Sequence, residues 1–183
     1  MRKQLYLAII AQLSLIRIDS DGNYYTDTLT PPAEGSEDVP VDLVAITHFD
    51  VWNNNIKYIA DELPFSLPAV FIQFQPIQWE ARSKGVRAAD VSFTLHVITR
   101  HNAAHYSDSL EFLDLLSAIN AALYNLKGDF FRNMVSTTST TDHDHDDLID
   151  SMETYTVQLT DTTAVRTQIL APAPTPVVAA TLG

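Results

Sequence analysis

An alternation of apolar and polar residues between Val86 and Thr99 constrains the fold more than any other feature of the sequence. Side chains along a β-strand point alternately to its two faces, so this segment predicts a strand with one apolar and one polar face. The apolar face carries Val91, Phe93, Leu95 and Val97, and the polar face carries Asp90, Ser92, Thr94 and His96. Such a strand belongs in a sheet that packs one face on a core.

Two helices flank this strand in the sequence. Residues 3–17 lack Gly and Pro and predict a first helix. For the second helix, Asp108 and Glu111 predict a capping box, and Lys127-Gly128 predicts the end. The apolar positions of the second helix step by four and three, at Phe112, Leu116, Ile119, Leu123 and Leu126. We expect both apolar faces to cover the sheet.

Several shorter segments predict further strands, because they are rich in β-branched and aromatic residues or alternate in polarity. These are residues 43–52, 56–59, 69–79, 134–141 and 152–160, with an acidic turn from Asp142 to Asp150. The order of elements predicts an α+β fold: a mostly antiparallel sheet of about four to six strands with two principal helices packed on one face. We expect a single domain over residues 1–161, with a long loop at 19–42 that could hold a small hairpin, and an extended Pro/Ala-rich C-terminal arm over 162–183.

Charge and composition disfavour several classes of function. The chain has 23 acidic and 11 basic residues and a net charge of -12, which disfavours binding to nucleic-acid phosphates and to anionic membranes. It has no cysteine and only 5 glycines, without a phosphate-binding loop or a G-x-S-x-G elbow. The apolar stretch from Leu5 to Ala11 resembles part of a secretory signal, but Gln12 and Arg17 interrupt it. We therefore expect no nucleotide-dependent enzyme and no cofactor, in a protein made in the cytoplasm.

One segment, Asp142 to Asp147, carries imidazoles and carboxylates that could ligate a metal ion. Its candidate ligands are Asp142, His143, Asp144 and His145. A solvated acidic hairpin tip is the favoured interpretation, because a structural site needs four fixed ligands and spacing identifies no partner motif. A metal-dependent hydrolase that uses this cluster is the less favoured alternative.

Two tryptophans and the arm are candidate interface residues. Trp52 and Trp79 stand at strand ends beside polar residues, where a core role is the default and contact with a partner is the alternative. Residues 170–183 carry no charged side chain, so we expect them to lie against a neighbouring subunit or partner. The candidate contact residues of the arm are Leu170, Pro172, Pro174, Pro176 and Val177.

Three groups of segments resemble the tail terminator, or tail-completion, proteins of long-tailed bacteriophages. The first is Arg2–Tyr6 leading to Ile46–Asn53, the second is Pro64-Phe65 and Pro68–Phe74 with Ile77–Glu80, and the third is Val91–Thr99 with Leu110–Leu123. Relative to a compact member of that family, the loop at 19–42 and the segment after Asp161 are additions.

The resemblance implies a non-enzymatic virion protein at the head–tail junction, assembled in the host cytoplasm. Such proteins form a ring, generally of six subunits, that stops polymerisation of the tail tube and presents a surface to the filled head. The implied partners are other copies of the chain, the major tail-tube protein, and a head-completion or connector protein. DNA would pass the lumen without specific binding, which the acidic balance favours. Another component of the same interface, such as a connector, is the nearest alternative, and a secreted binding module is a further one.

Overall fold

The computed structural model describes residues 1–19, 21–26, 43–53, 65–100, 110–145 and 148–165, without the side chains of residues 43 and 143–145. The helices are α1 (Arg2–Leu13) and α2 (Glu111–Leu123). The strands are β1 (Ile16–Ile18), β2 (Tyr24–Thr26), β3 (Leu43–Val44), β4 (His48–Val51), β5 (Ala69–Phe74), β6 (Glu80–Ser83), β7 (Val86–Arg100), β8 (Phe131–His145) and β9 (Leu148–Asp161). The predicted strand at 56–59 and residues 166–183 of the predicted arm lie outside the described residues.

The main sheet has six strands in the order β4-β5-β7-β9-β8, with β6 pairing with the first part of β7. Its pairs are antiparallel except for β4 and β5, which run parallel. A second sheet has the order β2-β1-β3. Its β1–β2 hairpin begins at Ile16, before the loop at 19–42 in which a small hairpin was predicted, so only β2 lies within that loop. The α+β prediction is confirmed.

The core lies between the helices and one face of the main sheet. Val91, Phe93, Leu95 and Val97 of β7 are fully buried there, as their alternation predicts. The helices contribute buried Leu5, Ile9 and Leu13 from α1 and Leu115, Ile119 and Leu123 from α2. Burying six such side chains stabilises the fold by about 1.5–3 kcal/mol each before the entropy of ordering them is counted.

Both helices are shorter than predicted. The first helix ends at Leu13, because Ile16 is buried in β1 rather than in a further helical turn. The second helix begins at Glu111, so this residue is the first helical position and not the third, and the predicted capping box is wrong. The second helix also ends before the predicted Lys127-Gly128. Asn125, at φ 56°, has the left-handed backbone conformation that glycine or asparagine adopts directly after a helix. Within the described residues, neither helix is long and apolar enough to cross a membrane.

The acidic turn predicted from Asp142 to Asp150 is wrong. Strand β8 runs to His145 and β9 begins at Leu148, so Asp142 and Asp150 are opposite each other across the hairpin. Ile149 and Asp150 are both buried, which a solvated turn would not allow. Strand β5 is shorter than the predicted 69–79, since it ends before Pro76, which cannot donate to a ladder.

Candidate assembly surfaces

The face of the main sheet opposite the helices, here called the open face, carries Ser92, Thr94, His96 and Ile98 of β7. Its central part is a ladder of hydroxyl groups. The Ser92 and Thr156 hydroxyls lie 3.3 Å apart and the Thr94 and Thr154 hydroxyls 3.1 Å apart. Cross-strand hydroxyl pairs of this kind stabilise a sheet without introducing charge. The polar face predicted for Val86–Thr99 is therefore uncharged at its centre.

One end of the open face is apolar and aromatic. Phe71 and Ile98 are fully buried in a second, smaller cluster, which Trp52, Phe65 and Leu148 partly cover. The Phe71 ring contacts Phe65 edge-on, with centroids 5.0 Å apart, and Trp52, with centroids 6.1 Å apart. Trp52 and Phe65 thus pack against Phe71 on this face of β5.

His96 and Asp150 form a buried hydrogen-bonded pair beside this cluster. Nδ1 of His96 lies 2.9 Å from Oδ2 of Asp150, and their side chains are 6% and 5% exposed. Nε2 of His96 lies 3.1 Å from Oε1 of Gln73. The Trp52 ring stacks on the imidazole with centroids 3.6 Å apart and an interplanar angle of 1°.

Both ring nitrogens of the imidazole are therefore occupied by contacts with side-chain oxygens, one of Asp150 and one of Gln73. Gln73, His96 and Asp150 belong to β5, β7 and β9, and Trp52 follows β4. These contacts thus link four neighbouring segments of the sheet beneath the Trp52 ring. We call the four residues Trp52, Gln73, His96 and Asp150 the clamp.

Trp79 belongs to a different network at the other end of β7. The Arg87 guanidinium lies over its ring, 4.3 Å from the centroid. Two nitrogens of Arg87, Nε and Nη2, donate to Oδ2 of Asp161 at 3.0 and 2.8 Å. The Thr163 hydroxyl and backbone N–H donate to Oδ1 of Asp161, and these bonds, with those from Arg87, lower the pKa of Asp161 to about 2. The end of β9 is thus fixed by an ion pair that persists well into the acidic range.

A groove of about 620 Å³ lies between β6 and the open face, next to this network. Its walls carry charge of both signs, with Glu80 and Arg82 on one side and Asp90 and Arg132 on the other. Oε2 of Glu80 and Nη2 of Arg82 are 2.9 Å apart, but both side chains are exposed, so this pair contributes little to stability. The groove offers a polar partner several charged contacts.

A buried carboxyl group lies on the helix-covered face. Glu153 stands opposite Leu95, and its Oε2 accepts a hydrogen bond of 2.6 Å from the Ser139 hydroxyl. Burial raises the pKa of Glu153, against the opposing effect of that bond. The neighbouring hydroxyls of Ser151 and Tyr155 have no hydrogen-bond partner among the described residues, and burial followed by the charge of Glu153 raises the pKa of Tyr155.

We expect Glu153→Gln to stabilise the protein by about 1 kcal/mol at pH 7, since it removes a poorly solvated charge and keeps an acceptor for Ser139. A carboxyl whose pKa is raised by folding favours the fold at low pH and opposes it as pH rises through the folded pKa. Urea unfolding at pH 4 and pH 7 should therefore show the gain at pH 7 and little gain at pH 4. A gain of equal size at both values would contradict the buried charge as its cause.

The predicted interface residues are not brought together. Trp52 and Trp79 lie at opposite ends of the sheet, both half-buried, and each stacks with a side chain of its own copy. Their contact with a partner stays a prediction. The arm residues Leu170, Pro172, Pro174, Pro176 and Val177 lie outside the described residues.

The predicted metal ligands are placed only in part. Asp142 is on β8, half-buried, while the side chains of His143, Asp144 and His145 are outside the described part of the chain. The side chains that are described contain no group of three or more His, Cys, Asp or Glu residues able to hold a metal ion. The His96–Asp150 pair was not predicted from the sequence, because burial along β9 alternates only from Ser151 onward and Asp150 is buried out of that pattern.

Comparison with known proteins leaves the family open. No protein-family model matches the chain, and no curated protein matches it. Among solved structures, a chain in the virion of a native gene transfer agent (GTA) particle is similar to it at 14% sequence identity with a TM-score of 0.41, over 63% of this chain and 79% of that chain.

Proposed function

We propose that this chain is a structural protein of a phage-like virion, and that within the virion it forms the ring that terminates the tail tube and joins the tail to the head. The observation that carries the proposal is the outer strand of the main sheet. From Asn133 to Thr141, β8 contains no charged residue, and most of its side chains there are exposed, in a chain whose net charge is -12.

An uncharged, exposed edge strand favours the association of one copy of the chain with another. Edge strands of monomeric proteins are commonly protected by charged side chains or proline, because a free ladder pairs with other chains. An acidic subunit can approach another copy closely only where its charges are absent, and β8 provides that place. The resemblance to tail terminators supports the same conclusion, since those proteins act as rings.

The acidic balance supports the proposed position in the particle. Packaged DNA must pass a terminator ring without binding to it, and a negative lumen would repel the phosphates. The mixed charges of the groove beside β6 suit a second protein, such as the tail-tube protein.

The test is native mass spectrometry of the purified protein at several concentrations, with and without magnesium and zinc, followed by localisation in particles. We expect a ring-sized oligomer, with about six copies by analogy with cyclic assemblies of this kind, and no stoichiometric metal. A particle reconstruction should place the chain at the head-proximal end of the tail tube. Contact with the portal instead of the tail tube would favour the connector alternative, and a position elsewhere would refute the proposal.

A further inference from the structure

The C-terminal segment has a sequence that can pair along one edge only. Residues 171–177 read Ala-Pro-Ala-Pro-Thr-Pro-Val. In an extended strand, the backbone groups of successive residues point to opposite sides, and proline has no N–H. All the donors of this segment, on Ala171, Ala173, Thr175 and Val177, would therefore face one side, and the other side would have none.

Strand β8 offers an edge that matches such a segment. Its first residues are covered, since Asn125 N–H donates to the Met134 carbonyl at 2.8 Å and Gly128 N–H to the Phe131 carbonyl at 2.9 Å. Beyond Met134, the part of the chain that the structure describes forms backbone ladder bonds to β8 only from β9. Val135 is 40% exposed and residues 137–141 are exposed.

The register shows which backbone groups point outward. The Thr137 hydroxyl donates to the Thr154 carbonyl at 3.1 Å, so this carbonyl faces β8. The backbone N–H and carbonyl of Thr138, which stands opposite Thr154, therefore point toward β9. By alternation, the backbone groups of Ser139 and Thr141 point away from β9 and toward the free edge.

The opposite edge of the sheet is less suited to pairing. Strand β4 has four residues, and Trp52 N–H bonds to the Ile72 carbonyl of β5, so Val51 N–H points outward. That outward donor is already occupied by Oδ1 of Asp50 at 2.7 Å. Among the described strands of the main sheet, β8 therefore has the longest uncharged free edge.

The path of the chain after β9 favours pairing between copies. Arg87 of β7 pairs with Ala81 of β6 on one side and with Asp161 of β9 on the other. After Asp161, the chain turns so that the Ala164 carbonyl packs against Gly85, in the β6–β7 turn. It thus leaves toward β6, away from β8 of its own copy.

We propose that residues 171–177 of one copy add as an edge strand to residues 135–141 of β8 in a second copy. The donors on the odd-numbered residues would bond to the carbonyls of Ser139 and Thr141, and the prolines would face outward and end the sheet. Main-chain pairing of this kind is a general mode of recognition. The inference rests on the self-association in the proposed function, but not on a position in the virion.

The first test is disulfide trapping, for which the chain is suited because it has no cysteine. Ser139→Cys is combined in turn with A171C, A173C, T175C and V177C, and the full-length proteins are oxidised. We expect covalent dimers and higher species in at least one combination. The control is S92C/T156C, whose native hydroxyls lie 3.3 Å apart within one copy and which should give a cross-linked monomer.

The outcomes of this test separate the inference from the proposed function. Cross-linked monomers from the Ser139→Cys pairs would show that the arm pairs with its own copy and would overturn the exchange. No cross-link in an assembled ring, with the control oxidised, would overturn the docking and leave the ring intact. A chain that stays monomeric without cross-links would contradict both proposals.

The second test uses two matched pairs of substitutions in the arm. A173P/T175P removes donors from the pairing edge, whereas P174A/P176A adds donors to the other edge only. Hydrogen exchange of a peptide over residues 135–141 should quicken about tenfold or more in A173P/T175P, and in a chain ending at Val165, while P174A/P176A keeps its protection. Equal exchange rates in the unmodified protein, the two double variants and the truncated chain would overturn the proposal. An equal loss of protection in both double variants would also overturn it.

Discussion

Replacing His96 with leucine should lower the free energy of unfolding by about 3–5 kcal/mol, because it leaves a buried carboxylate without its partner. Asp150 is 5% exposed, and its Oδ1 already has no hydrogen-bond partner among the described residues. The substitution removes the bond to Oδ2, the bond to Gln73 and the polar surface under Trp52. Urea unfolding at fixed protein concentration measures the change.

Two further variants separate charge from packing. H96L/D150L replaces the whole pair with apolar side chains beside Ile98 and Leu148, and we expect it to recover most of the loss, since a buried ion pair often contributes no more than a well-packed apolar one. Thr94→Val, on the same face, should cost about 1 kcal/mol through its lost hydroxyl bond. A loss in H96L no larger than in the Thr94 variant would contradict the clamp, and D150N supplies an isosteric check if H96L does not fold.

Gly85→Ala should destabilise the protein by at least about 2 kcal/mol, and Gly22→Ala by about 1 kcal/mol. Both glycines have a positive φ, 79° for Gly85 and 84° for Gly22, which disfavours any side chain. A Cβ at Gly22 would have no atom within 4 Å, whereas one at Gly85 would lie 2.4 Å from the Ala164 carbonyl oxygen. The two variants therefore share the backbone strain and differ in the steric clash.

A truncation identifies the source of the difference. In a chain that ends at Thr163, the contact with Ala164 is absent, so Gly85→Ala should cost no more there than Gly22→Ala does. The measurement is the free energy of unfolding of the four proteins and of their two parents. Equal costs for the two substitutions in the full chain would show that the segment after β9 does not press on the β6–β7 turn.

The parts of the fold that follow from local periodicity were predictable. The alternation in Val86–Thr99 determines a strand whose faces have opposite polarity, and β7 has that length and orientation. The ends of elements were less predictable, because tertiary contacts decide them. Ile16 leaves the helical pattern to be buried in β1, and Asn125 ends α2 where the sequence offered Gly128.

The error at Asp142–Asp150 has a different physical cause. A run of carboxylates and imidazoles is typical of a solvated turn when it is considered alone. In the structure, the β8–β9 ladder extends to His145 and Leu148, and Asp150 is hydrogen-bonded to His96, which stands 54 residues earlier in the sequence. No local pattern contains that partner, so neither the strand nor the buried pair could be derived from composition.

The tryptophans show the same limit. Their positions at strand ends left a core role and a partner role open, and the structure uses each ring to cover a charged or polar side chain of its own copy. The stacking of Trp52 on His96 depends on the parallel pairing of β4 with β5, which brings the residue after β4 over the open face. No pattern in the sequence indicates that pairing.

The short connection of the β8–β9 hairpin also indicates an order in which the strands of the sheet are expected to pair. Its strands are joined by two residues between His145 and Leu148, whereas β7 reaches β9 only after the intervening second helix and β8. A short loop closes at a smaller entropic cost than a long one, and hairpins form within microseconds while distant pairings are slower. We therefore expect the uncharged edge of β8 to form early in folding, before β7 joins the other side of the hairpin. Chains that are still folding would then meet through this edge, so we expect the supply of chaperones to influence the yield of assembled protein.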